Sequence, residues 1–338
     1  MRRTLLLILF SALVVAGCSQ QPVPTAPGAG SGDGAWVGLL GDSVFAPAVL
    51  LLHSAGGTVT GDLVTAGPAH YLLNGAVSHD TTWLAIGGGG RVAVTHRGDS
   101  LYARFARDTM LRTFAGRAVP LKPFVAIEQH AYAYTATGAG RGGGSLWLAT
   151  DDSAYIKVNG DHVEGALQLT LAGRKWAGPV MAWQVDRMWA TTAVAVVDST
   201  GFALGADLHG WNALGRTTDY MQLLYEPTGL AWDGAALWAL HPRLPQLFKL
   251  GTDGHTTATV TVEAPDARLL AWYAGRFWTV EWTIRKLCAL DTSGRIVAIY
   301  ALPADTTPTP LALTSDGSKL EYVEGVVGTT WAYVPRVP

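Results

Sequence analysis

The chain is poor in cysteine, charge, asparagine and long apolar runs, and each scarcity removes a class of protein. Two cysteines in 338 residues, Cys18 and Cys288, build neither a disulfide framework nor a cysteine zinc site. Charged residues are 15 % of the chain and the formal net charge is −2, so the composition carries no footprint for nucleic acid. Asparagine stands only at 74, 159 and 212, which leaves few neutral oxygens for a metal ring. No apolar run reaches the roughly 20 residues that a membrane-spanning helix needs.

The longest such run, Leu5–Val15, is broken only by Ser11 and follows Arg2 and Arg3. A short apolar core behind a positive start is the layout of a secretory signal peptide, placed here at residues 1–17. It ends in Val15-Ala16-Gly17-Cys18. That order resembles the lipobox of bacterial lipoproteins, and the resemblance implies that Cys18 is acylated and becomes the mature amino terminus. Two or three acyl chains hold a protein on a bilayer where one does so only marginally. Residues 19–33, SQQPVPTAPGAGSGD, have the Pro, Gly, Ser and Gln composition of a flexible tether. Ser19 in place of the aspartate of some inner-membrane lipoproteins points to an outer membrane where the cell has one. Loss of residues 1–17 leaves 22 basic against 26 acidic side chains, a mildly acidic protein anchored outside the cytoplasm. Cys288, in the alternating RKLCALD, reads as a buried structural thiol.

From residue 34 to 120 short segments recur about every ten residues between glycines: AVLLL, TVTGDL, TWLAI, RVAVTH, LYARFA and LRTFAG. The period-2 alternation and hairpin spacing predict a small antiparallel β-barrel or sandwich.

From residue 121 to 338 the chain repeats. MAWQVDRMWA from Met181, LAWDGAALWA from Leu230 and LAWYAGRFWT from Leu270 share one internal spacing. A degenerate copy is read at LALTSDGSKLEY from Leu311, with two residues inserted in its turn, and a further unit ends at GGSLWLAT, residues 143–150. Second turns at VNGD, VDSTG, LGTDG and LDTSG leave room for about four strands per unit. This predicts an all-β chain ending in a β-propeller of about five blades, its tryptophans packed blade against blade. The repeats resemble those of virginiamycin B lyase, gluconolactonase and NHL propellers. That resemblance concerns scaffold positions.

Gluconolactonase-like propellers hold a divalent metal in the central channel with Glu, Asn and Asp. Glu226 in YEPTGLAW stands near an inner strand as their glutamate does, but two residues farther from the tryptophan, and nothing completes the ring. His241 in LHPRLPQ is the histidine nearest a blade edge for lyase-type chemistry, and reads as a solvated loop residue. Glu281 and Trp282 in TVEWTIRK are the remaining candidates, because a charge inside an apolar segment is costly unless paired or wet; a solvent-facing strand position would explain it. Neither cofactor nor catalytic residue is expected.

Several short motifs fail. Gly138, Gly140 and Gly143 fit G-x-G-x-x-G, but a strand follows where a phosphate site needs a helix; they read as a mobile hairpin loop. GDS at 41–43 and GDSL at 98–101 match the letters of GDSL hydrolases but lack that family's α/β fold and late Asp-x-x-His, RGDS at 97–100 reads as a plain turn, and Asp151-Asp152 is too small a set for calcium. Two functions stay open. One is a lipid-anchored binding or scaffold protein, spaced from the membrane by the small β-domain and presenting propeller loops to an envelope protein or glycan. The other is a channel-centred lactonase- or lyase-like enzyme.

Overall fold

The computed structural model describes residues 33–337, apart from residues 42–44, 67–68, 79–80, 108–109, 151–153, 161, 168, 172–173, 177–179, 194–204, 213–214, 303–308 and 327–328. The signal peptide, Cys18 and nearly all of the tether, with Asp151-Asp152 and the VDSTG turn, lie outside the described residues.

The first eight strands, from Gly34–Gly41 to Met110–Val119, form a closed antiparallel meander barrel, the last pairing back onto the first. All six segments read from the sequence are strands of it. Its interior is filled by one face of each strand, with Trp36, Leu50, Leu63, Leu101 and Phe114 at most 1 % exposed. Closure leaves no strand edge unpaired.

Five antiparallel blades of four strands follow, each numbered by its innermost strand: Ala136–Gly142, Met181–Gln184, Gly229–Trp232, Ala267–Tyr273 and Thr309–Ser315. Each innermost strand touches those of its two neighbours, and the fifth touches the first, so the ring is complete. The fifth blade takes its outermost strand, Ala126–Tyr132, from the amino-terminal side of the propeller. Leu121–Pro123 adds a fifth, parallel strand to blade four.

Hairpin registers fix which residues are equivalent. Arg141, Trp183, Trp232, Trp272 and Ser315 face Leu146, Met188, Leu237, Phe277 and Leu320 across their turns. The next residues, Trp147, Trp189, Trp238, Trp278 and Glu321, are therefore equivalent too. This corrects the expected register of the fifth unit: it starts at Leu313, and Asp316–Lys319 spans the same four residues as Asp233–Ala236, with no insertion. Gly138 and Gly140 are likewise in an inner strand rather than a mobile loop.

The four tryptophans each donate the indole N–H back to the residue five earlier: Gly142 O, Gln184 Oε1, Asp233 Oδ2 and Tyr273 O, at 2.7–3.3 Å. Their rings fill the seams between blades, as expected; Trp183 of blade two lies 5.5 Å from Trp147 of blade one. The seam between blades five and one differs. There Arg141 Nη1 donates to Glu321 Oε2 at 3.0 Å, and its Nε lies 2.9 Å from Asp316 Oδ2 in ion-pair contact without hydrogen-bond alignment.

The barrel packs directly against the propeller. Ala35, Val37, Val49 and Leu51 on its outer wall share one core with Trp238, Phe277 and Ile299 of blades three and four. Arg117 pairs with Glu263 and donates to Ile296 O at 2.8 Å.

Candidate functional site

The propeller's central channel is filled by aliphatic side chains. Ala139, Val180, Met181, Leu230, Leu270 and Leu313 leave a void of about 20 Å³, room for about one water. Thr228 also lines it, its buried hydroxyl without a hydrogen-bond partner, and among the described residues no three His, Cys, Asp or Glu side chains are grouped to hold a metal ion.

At the mouth where the inner strands begin, the residue three past each of Trp147, Trp189, Trp238, Trp278 and Glu321 is polar: Thr150, Thr192, His241, Glu281 and Glu324. Glu281 and Glu324 are both 0 % exposed. Burial of Glu281 contradicts its reading as a solvent-facing strand residue. One carboxylate oxygen accepts from the Asp266 amide at 3.0 Å, and the other has no hydrogen-bond partner. Desolvation pushes its pKa up to about 8, the Asp266 amide opposing and the Asp266 carboxylate reinforcing the shift. Glu324 instead accepts from Tyr322 Oη at 3.1 Å and also engages Tyr333.

His241 is half-buried, not solvated. Its Nδ1 accepts from the amides of Arg243 and Leu244 at 3.0 Å, and the ring packs on Tyr225 and Phe248. Burial lowers its pKa, which suits an acceptor nitrogen that holds a turn. Glu226 is half-buried in the loop before Gly229. Trp282 is half-buried, with the Arg268 guanidinium 4.8 Å from its ring centre. Among the described residues no hydrogen bond or ion pair joins any two of Glu226, His241, Glu281 and Trp282. The four candidates do not form one site. Cys288 is fully buried, and desolvation raises its thiol pKa, so it is inert as expected.

Immediately after Trp282 the chain enters a cleft between barrel and propeller. Thr283, Ile284, Arg285 and Lys286 form one wall, and the outer faces of barrel strands Phe45–Ala55, Thr58–Thr65 and His70–Ser78 the other, around about 660 Å³. That volume falls in the usual range for a ligand site, and a domain interface is a usual place for one. Arg285 is presented from a left-handed backbone, φ 51°. Burial lowers the Lys286 pKa, opposed by the charge of Asp62 across the cleft. Asp62 is held by His70 Nε2 at 2.8 Å. Lys286 thus faces a carboxylate–imidazole pair, Asn74 and His53, over a floor of Leu72, Leu121 and Ile284, while Arg285 also lines the cleft and hydrogen-bonds Tyr322 of blade five.

The sequence reading misses this cleft. Arg285 and Lys286 stand next to the Glu281-Trp282 pair that it singles out, but the groups that face Lys286 are two hundred residues away on the barrel. Only the docking of the two units brings them together.

No protein family matches the chain, and no curated protein matches it. Solved structures to which it is similar include a glutaminyl cyclase from Myxococcus xanthus, 13 % identical, with a TM-score of 0.49, covering 64 % of this chain and 97 % of that one. A PQQ-bound aldose sugar dehydrogenase from Streptomyces coelicolor is 12 % identical with a TM-score of 0.31, covering 80 % and 92 %. At these values neither likeness assigns an activity. What stands is an all-β protein in which an eight-stranded closed barrel precedes a five-bladed propeller.

Proposed function

We propose that the chain is a lipid-anchored envelope protein that binds a carboxylate-bearing glycan or peptide segment in the cleft between barrel and propeller. The observation that carries the binding reading is the contrast between the two cavities. The channel, where a propeller enzyme would hold its metal, is lined mostly by aliphatic side chains, while the cleft is open and offers Lys286 to an anion. Lys286 supplies a partly desolvated charge, and Arg285, engaged with Tyr322 of blade five, adds positive potential beside it. Support for the anchor is the Val15-Ala16-Gly17-Cys18 sequence at the end of the apolar run.

Two measurements test the two halves. Cys18→Ser should move the protein from the membrane fraction to the soluble extract and abolish labelling by a fatty-acid probe; retention with labelling intact would refute the anchor. Titration calorimetry with soluble peptidoglycan fragments should show binding that Lys286→Gln weakens by about tenfold, the loss expected of one charge-assisted hydrogen bond. Affinity unchanged by that substitution would remove the ligand from the cleft.

A further inference from the structure

The barrel wall that leads away from the Arg117–Glu263 contact with the propeller carries a second surface with a different chemistry. Strands Thr81–Ile86, Arg91–Arg97, Ser100–Arg107 and Met110–Val119 lie side by side. Alternation puts fifteen side chains on their outer face, from Thr81 to Arg117. Four of these are Arg91, Arg97, Arg104 and Arg117, and none is acidic. Trp83 and Tyr102 stand 54 % and 46 % exposed among them.

Cross-strand register makes this one patch. Trp83 is opposite Ala93, and Ala93 opposite Arg104, so the indole and guanidinium flank a small residue. Arg97 lies 5.8 Å from the Tyr102 ring centre. On the next two strands Leu111 and Leu39 continue the apolar surface, 44 % and 50 % exposed. Arg117 is taken by Glu263; among the described residues Arg91, Arg97 and Arg104 form no ion pair.

A mildly acidic protein has thus gathered unneutralised arginines, a tryptophan and a tyrosine on one flat wall. We infer that this wall seats on an anionic lipid surface, the arginines on headgroup phosphates and the rings at the interfacial level. Tryptophan and tyrosine prefer that depth because one end of each ring system is apolar and the other polar. Basic residues near an anionic leaflet each add roughly a fivefold gain in partitioning. The closed barrel has no free strand edge, so contact is made through side chains alone. Proximity rests on the lipid-anchor reading: fifteen residues separate Cys18 from Gly34, and a coil of that length averages about 20 Å end to end.

The test uses the chain from Ser19 onward, which keeps every described residue and carries no acyl group, so its result is independent of whether Cys18 is modified. In flotation with phosphatidylcholine vesicles containing phosphatidylglycerol, the chain should bind at low salt, detach at high salt and ignore vesicles of phosphatidylcholine alone. The triple change Arg91→Glu, Arg97→Glu, Arg104→Glu should cost about a hundredfold or more in partitioning, and Trp83→Ala severalfold. Arg216→Glu with Arg276→Glu, on the propeller, should change little. Binding that both sets weaken equally would reduce the effect to net charge and overturn the proposal. So would a failure to bind vesicles, with the same wall mediating either sedimentation on a glycan or self-association that Trp83→Ala abolishes.

Discussion

At the junction of blades one and two, Trp183 lies on Trp147, their centroids 5.5 Å apart. At the junction of blades five and one, the equivalent positions hold Arg141 and Glu321, joined at 3.0 Å. The Arg141 amide also donates to Thr314 Oγ1 at 2.7 Å, and Arg141 Nη2 to Gly144 O at 3.1 Å. The difference follows from what each seam has to do. Blades one and two are consecutive, and any well-shaped apolar contact holds them. Blades one and five are joined only when the ring closes, and an aromatic seam there would accept any neighbouring blade that presents a tryptophan. A buried ion pair tolerates only its complement, which makes it a registry device at some cost in desolvation.

Breaking the ionic seam should have the largest effect. Arg141→Ala leaves the nearby Asp316 without the Arg141 charge and Glu321, 3 % exposed, with Lys319 at 3.6 Å as its remaining counter-charge, and loss of one partner of a buried pair costs about 3–5 kcal/mol. Denaturant midpoints followed on tryptophan emission would measure it. Converting the seam to the aromatic type, with Arg141→Trp and Glu321→Trp together, should recover most of that loss, because apolar replacement of a whole buried pair is often neutral. A double variant as unstable as Arg141→Ala would mean that the ion pair supplies stability as well as register.

The opposite mouth offers two settings of one residue. Glu324 engages the hydroxyls of Tyr322 and Tyr333, whereas Glu281 is held by the backbone amides of Asp266 and Thr283. The folded-state pKa of Glu281, about 8, exceeds its unfolded value, so the native state binds more protons between the two. Stability from this group is full below the unfolded value near 4.5 and falls as pH rises through 8. Glu281→Gln should flatten that decline and gain up to a few kcal/mol above pH 8, read from unfolding midpoints between pH 5 and 9. An unchanged slope would place the titration elsewhere.

The legible part of the molecule was the part written in local period. The barrel strands alternate, and three of five blades carry Ala-Trp followed by a second tryptophan at fixed spacing, so all-β class, a small barrel or sandwich and a propeller of about five blades could be read. Blades one and five were harder because both depart from the aromatic pattern at the seam: Ala139-Gly140-Arg141 and Leu313-Thr314-Ser315 keep the spacing but change the chemistry. The candidate site was less legible still. Glu281 and Trp282 border the cleft, but Asp62, Asn74 and His53 come from the barrel, and no local pattern encodes which barrel wall meets the propeller.

The aromatic seam can be sharpened at its tightest point. A Cβ built on Gly142 would lie 2.0 Å from the Trp183 ring, because that indole sits flat over the glycine backbone on its way to Trp147. Gly142 is not in a left-handed conformation, so the glycine is there for space alone. Gly142→Ala therefore has to push the ring off its partner, an overpacking cost of about 1–3 kcal/mol. Trp183→Leu in the same chain removes the obstacle, so the double variant should be destabilised by less than the sum of the two single ones. Additive losses would show that the ring moves freely and that packing at this seam is looser than the geometry implies.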